Sequence, residues 1–242
     1  MTASQERYLP AAVWTFWDAA GLFLAGLVGS LAAISLGIVF NGGEELTQIP
    51  LLLTSSIGQA VVTLGLLAYM SRSRGAGSWD LDFGLRFEQS DWRGLFYGIG
   101  LQLVVTLLVT LPLLVLMGVD DPPEQDVAEI VGSASSLVGR LAVALVVVVV
   151  APLIEELLFR GVILSRLRRG FGPAASIAVS AALFSVFHLI DPDTRFLVPG
   201  LFVIGVVLGI QALRTDRIGL AITTHAGVNL LAVVGLFLDV GV

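Results

Sequence analysis

The sequence predicts an all-α fold: a polytopic transmembrane helical bundle of about seven spans, forming a single membrane-embedded domain over residues 1–242. Three observations carry that expectation. Of the 242 residues 56% are hydrophobic and only 13% charged, with a mean hydropathy of +0.94, too apolar for a core wrapped in a polar surface. Apolar stretches of the length a helix needs to cross a bilayer, about 20 residues at about 1.5 Å rise each, recur along the chain. The connections between them alternate in charge.

The first apolar segment runs roughly from Val13 to Phe40. The polar stretch Met1 to Pro10 leads into it, and it is longer than a secretory apolar core and has no clear small-residue cleavage site, so it is expected to be a retained span. The others run roughly from Ile49 to Met70, Leu95 to Val119, Leu141 to Leu164, Ala174 to Ile190, Phe196 to Leu213 and Ile218 to Leu238. Arg72 and Arg74 follow the second, Arg166, Arg168 and Arg169 the fourth, and Arg214 and Arg217 the sixth. Those loops are expected to be cytoplasmic. The alternate loops are acidic, with Glu44 and Glu45, then Asp120, Asp121, Glu124, Asp126 and Glu129, then Asp191 and Asp193 beside Arg195. The N-terminus is then cytoplasmic and the C-terminus outside. Trp14, Trp17, Trp79 and Trp92 fall near the inferred cytoplasmic interface, where an amphipathic indole is favoured.

Between the second and third segments, Ser78 to Trp92 mixes Leu81, Phe83, Leu85 and Phe87 with acids and Arg86, as a segment lying on the membrane surface or a solvated linker would. Gly205 and Gly209 form a small-xxx-small pair in the sixth segment, a sign of close helix packing. The chain has no cysteine, so disulfides and thiolate metal sites are excluded, and any metal must be held by His, Asp or Glu.

The fourth segment carries two acids where none is expected. After Val146 to Val150 and Pro152 come Glu155 and Glu156, then Arg160. An ionised residue at mid-bilayer costs roughly 2.5–3.5 kcal/mol on insertion scales unless it meets a partner or a water-filled cavity. Glu156 and Arg160, spaced i,i+4, can share a face and neutralise each other, whereas Glu155 is rotated about 100° away and is the freer carboxylate. Pro152 removes a backbone hydrogen bond and crowds the carbonyl of Val148, so a kink before the acids is expected. Both histidines of the chain, His188 and His225, lie in apolar helices, and Asn229 follows His225 on the same face.

Such residue types suit amide hydrolysis. A carboxylate beside a histidine activates water, while a second histidine and an asparagine donate to a developing oxyanion. Alternatively, Glu155, His188 and His225 supply one oxygen and two nitrogens to Zn²⁺ with an open position for water. The residues alone leave both open. Intramembrane Glu and His also build proton relays in transporters, and a non-catalytic immunity or scaffold protein could keep them for packing.

Glu155-Glu156-x-x-x-Arg160, Phe184-x-x-x-His188 and His225-x-x-x-Asn229, in that order on separate spans, resemble the CPBP family of intramembrane endopeptidases, the CAAX-processing and bacteriocin-processing (Abi) proteases. The resemblance covers about Leu141 to Leu231. It implies a CAAX-protease-like bundle that cleaves a peptide bond inside the membrane. Glu155 and His188 would activate water, His225 and Asn229 would hold the oxyanion, and Glu156 and Arg160 would support the site. Members are often labelled metalloproteases; a glutamate base without tightly bound metal is favoured here over Zn²⁺ on Glu155, His188 and His225. The expected partners are the bilayer and a membrane-associated protein or peptide substrate, not nucleic acid, in a prokaryotic plasma membrane. The motifs of zincin-like, rhomboid-type and presenilin-like intramembrane proteases are not found. Counted from Pro173, His188 lies about 22 Å along its helix, deeper than Glu155 or His225, so convergence of the three requires tilt or a sunken turn.

Overall fold

A backbone in hydrocarbon must satisfy its own hydrogen bonds, and helices do so without help from a neighbour. The computed structural model describes residues 14–119, 130, 134 and 136–238, and among these no strand is found. Seven helices are long and apolar enough to cross a membrane: α1 (Phe16–Phe40), α2 (Gln48–Arg74), α4 (Gln89–Met117), α5 (Leu137–Leu167), α6 (Pro173–Ile190), α7 (Val198–Thr215) and α8 (Gly219–Phe237). The short α3 (Trp79–Phe83) links α2 to α4. The seven spans of the hydropathy pattern are therefore present, α4 starting six residues before Leu95 because a 3₁₀ turn, Gln89–Arg93, leads into it. The polar stretch Met1 to Pro10 and the acids from Asp120 to Glu129 lie outside the described residues.

The helices pack as the pairs α1 with α2, α4 with α8, and α6 with α7, and α5 touches α1, α2, α3, α6, α7 and α8. This central place matches its composition: every residue from Leu157 to Leu164 is buried, as expected of a helix apolar on all sides. Gly205 and Gly209 bring α7 against Ala181 and Ile177 of α6, as their spacing predicts.

Two spans contain a wide π turn placed identically relative to a proline. Thr106–Thr110 precedes Leu111-Pro112, and Val146–Val150 precedes Ala151-Pro152. In the second, Ala151 N–H donates to Val146 O, five residues back. The next donor in that register would be Pro152, which has none, so the carbonyl stranded by proline is Val147 O. The α-helical spacing predicts Val148 instead; the π register shifts the defect by one residue.

Within Ser78 to Trp92, Asp82, Phe83 and Asp91 turn inward while Leu81, Phe87 and Trp92 stay exposed. Asp82 is fully buried and accepts hydrogen bonds from Ser71 Oγ (2.6 Å), Ala76 N (2.7 Å) and Ser78 N (3.2 Å). Phe83 stacks on Trp14, whose Nε1–H donates to Asp82 O at 2.9 Å. Trp14 is therefore a packing residue and not an interfacial indole, whereas Trp17 and Trp92 are exposed.

Candidate active site

Glu156, Arg160 and His225 form one buried group. Arg160 Nη1–H donates to Glu156 Oε1 at 2.7 Å, as the i,i+4 spacing predicts, with both side chains wholly buried. The second arm of the guanidinium donates to Gly205 O on α7 at 3.0 Å, and its plane lies over the Phe184 ring at 4.8 Å. An always-charged guanidinium thus meets a carboxylate, a carbonyl and a π face, which is what allows it below the bilayer surface. Glu156 Oε1 also lies 3.0 Å from His225 Nδ1, so α5 and α8 are joined by a charge-assisted hydrogen bond. With Nδ1–H given to Glu156, the ring turns Nε2 toward Glu155, whose Oε2 is 3.8 Å away.

Glu155 contrasts with its neighbour. Its side chain keeps 30% of its exposure, and the buried oxygen Oε2 has no hydrogen-bond partner among the described residues. One turn beyond His225 on α8, Asn229 donates one amide proton to Val147 O at 2.8 Å, filling the place of the hydrogen that Pro152 lacks. The second N–H of that amide is not used in this bond.

His188 stands at the C-terminal end of the α-helical part of α6, opening the 3₁₀ turn His188–Ile190. Its Nδ1 lies 2.9 Å from Phe184 O, and its own carbonyl accepts from Thr194 Oγ1 at 2.6 Å. Among the described residues it makes no hydrogen bond to Glu155. The link is indirect, because the fully buried Phe184 ring contacts both imidazoles, His188 at 4.8 Å and His225 at 5.5 Å between centroids. The i,i+4 phenylalanine of the His188 motif is therefore a wedge between the two histidines.

The suggested metal ligands do not converge. Among the described residues no three His, Asp or Glu side chains are arranged to hold a metal ion. His188 directs Nδ1 to its own helix, and His225 directs Nδ1 to Glu156. Glu155, His188 and His225 are therefore not assembled as a three-ligand Zn²⁺ group in this structure, and no step is derived through one.

The placement of His225 and Asn229 depends on contacts that the motifs do not announce. A β-carbon at Gly98 of α4 would run into Thr224 O, and one at Gly227 of α8 would run into Leu95 O, so these two backbones touch. Gly94-x-x-x-Gly98 is a small-xxx-small signal legible in the sequence. Where the chain enters α8, Arg217 donates to Asp91 Oδ2 and, at 3.1 Å, to Glu88 Oε2, and Thr223 Oγ1–H donates to Asp91 O at 2.6 Å. Burial of Arg217 works against its charge, but its hydrogen bonds to the carboxylates of Asp91 and Glu88 outweigh that and raise its pKa above the ordinary value. The clamp contributes fully below that value, so its guanidinium stays charged through neutral and alkaline pH.

Chemically the arrangement offers an unpaired carboxylate, an imidazole nitrogen facing it and a nearby amide, held by a neutralised ion pair. Comparison with known families gives one match: residues 137–231 fit the family described as type II CAAX prenyl endopeptidase Rce1-like. No curated protein matches the chain, and no solved structure does. The matched span begins with α5 and contains Glu155, Glu156, Arg160, His188, His225 and Asn229 in order. Residues 137–231, on a bundle of seven apolar helices, thus match the CPBP/CAAX protease family.

Proposed function

We propose that this protein is an intramembrane endopeptidase that hydrolyses a peptide bond of a membrane-associated protein or peptide, with Glu155 as the general base. The observation that carries the reading is the buried, unpartnered Glu155 Oε2 facing His225 Nε2. In this mechanism Glu155 takes a proton from water as the water oxygen bonds to the scissile carbonyl carbon. The carbonyl electrons move onto oxygen, and the tetrahedral adduct collapses with loss of the amine, which receives the proton from Glu155. His225, held through Nδ1 by Glu156, and the second N–H of Asn229 stabilise the oxyanion. His188, whose ring shares Phe184 with that of His225, is assigned a supporting part beside Glu155. Arg160 holds Glu156 in place through its hydrogen bond to Oε1, which is a supporting role.

The family description makes a prenylated CAAX-type C-terminus the first substrate class to try, beside unprenylated membrane-tethered peptides. The arginine-rich loops after α2, α5 and α7 favour a cytoplasmic N-terminus, and a prokaryotic plasma membrane is the proposed location. The test uses purified protein in liposomes with membrane-tethered peptides of both kinds and mass spectrometry of the products. Wild type is expected to cut a defined bond and Glu155→Gln to leave it intact. Equal cleavage by both, or no cleavage together with pH-driven solute flux, would sink the reading.

A further inference from the structure

Outside the matched span, α2 presents polar side chains to the same glutamate. A cavity of about 50 Å³ between α2 and α5 is lined by Ser56, Gln59, Val146, Val150, Ala151, Ile154 and Glu155. Ser56 and Gln59 are three residues apart and so share one face of α2. Among the described residues neither side chain is hydrogen-bonded to a protein group, an expensive condition for a hydroxyl and a primary amide at mid-helix depth. Gly26 on α1 makes room for the amide: a β-carbon there would meet Gln59 Cγ at 3.3 Å and Thr63 Oγ1 at 2.9 Å.

The lining decides what the cavity holds. A recess walled by aliphatic side chains alone stays dry, whereas water requires roughly 10–15 Å³ and two to four polar partners. Here Ser56, Gln59 and Glu155 supply three partners, and the volume holds a few waters but no peptide segment. The adjoining π turn, Val146–Val150, forms part of the wall.

We infer that Ser56 and Gln59 of α2, with Glu155 of α5, hold the hydrolytic water, and that Gln59 is a water-positioning residue. The inference rests on the endopeptidase reading for its consequence, though not for the presence of water. The amide donates to the water oxygen and leaves a water proton directed at the Glu155 carboxylate, the geometry from which that proton is taken. α2 therefore completes a site whose other members all lie within residues 137–231.

Because the chain has no cysteine, a single introduced thiol is unique. Ser56→Cys and the adjacent, outward-facing Ile57→Cys are each reconstituted as full chains in liposomes. They are exposed to silver ion, a probe close to water in size, and the surviving thiol is counted with a maleimide after unfolding. Silver is expected to block Ser56→Cys at least about tenfold faster, since a thiol reacts as thiolate and needs water. Equal rates overturn the water site whatever the protein's activity. In the cleavage assay Gln59→Leu is expected to lower kcat about tenfold or more with KM within about twofold, and Gln59→Glu to recover part of it. Unchanged kcat in Gln59→Leu, with Glu155→Gln inactive, overturns the positioning role and leaves the endopeptidase standing. Activity in Glu155→Gln removes Glu155 as the base instead, and absence of cleavage by the wild type removes the endopeptidase reading.

Discussion

Arg160 and Glu156 have no exposed surface, and each is tolerable because the other is present. Removing one partner of a buried pair leaves an uncompensated charge and costs about 3–5 kcal/mol, whereas replacing both by apolar groups is close to neutral. Arg160→Met is therefore expected to destabilise the protein by that order in thermal unfolding in detergent, and Glu156→Leu with Arg160→Met by much less. A double variant as unstable as the single one would contradict the pairing. Asn229 makes a subtler case, since its amide fills a defect made by Pro152. Asn229→Leu is expected to cost about 1–3 kcal/mol by stranding Val147 O, and less in a Pro152→Ala background, where a backbone donor returns. Additive effects in that cycle would argue against the link. The pairing of Glu156 with Arg160 was legible from their spacing, and so was the separation of Glu155 from both. The hydrogen bond from His225 to Glu156 was not, because it joins α5 to α8 across 69 positions.

At the level of elements, the seven spans could be read directly, because hydrocarbon imposes one length and one composition on every crossing helix. The same uniformity hid the packing. A run such as Val146 to Val150 has no polar face to reveal its orientation, and nothing in its composition distinguishes an α turn from a π turn; only Pro152 marks the place. The inward turn of Asp82, Asp91 and Phe83 was also hidden, since alternating acids and aromatics read equally well as a surface segment. The α4–α8 contact was legible in Gly94-x-x-x-Gly98. It makes a clear prediction: Gly98→Ala drives a methyl into Thr224 O and is expected to lower the melting temperature and the activity together, because α8 carries His225 and Asn229. Gly100→Ala, which meets nothing within 4 Å, is expected to be neutral. Equal tolerance of both substitutions would show that α8 is positioned by other contacts.

Across the whole molecule, the helices divide the work. α5 carries the acids through the middle of the bundle, α6 and α8 bring one histidine each against Phe184, α7 anchors Arg160 through Gly205 O, and α4 fixes the height of α8. The three-residue metal site considered from the residue types is not assembled among the described residues, where His188 gives Nδ1 to Phe184 O and His225 gives Nδ1 to Glu156. What the fold does assemble is the Glu155 carboxylate, whose Oε2 has no hydrogen bond among the described residues, facing the His225 imidazole within an apolar body. The most direct measurement is the single-turnover cleavage rate of Glu155→Gln relative to wild type in liposomes, at matched amounts of folded protein. Loss of a general base predicts a fall of about 10²–10⁴-fold with an unchanged melting temperature. A rate within about threefold of wild type would contradict the assignment of Glu155 as the base.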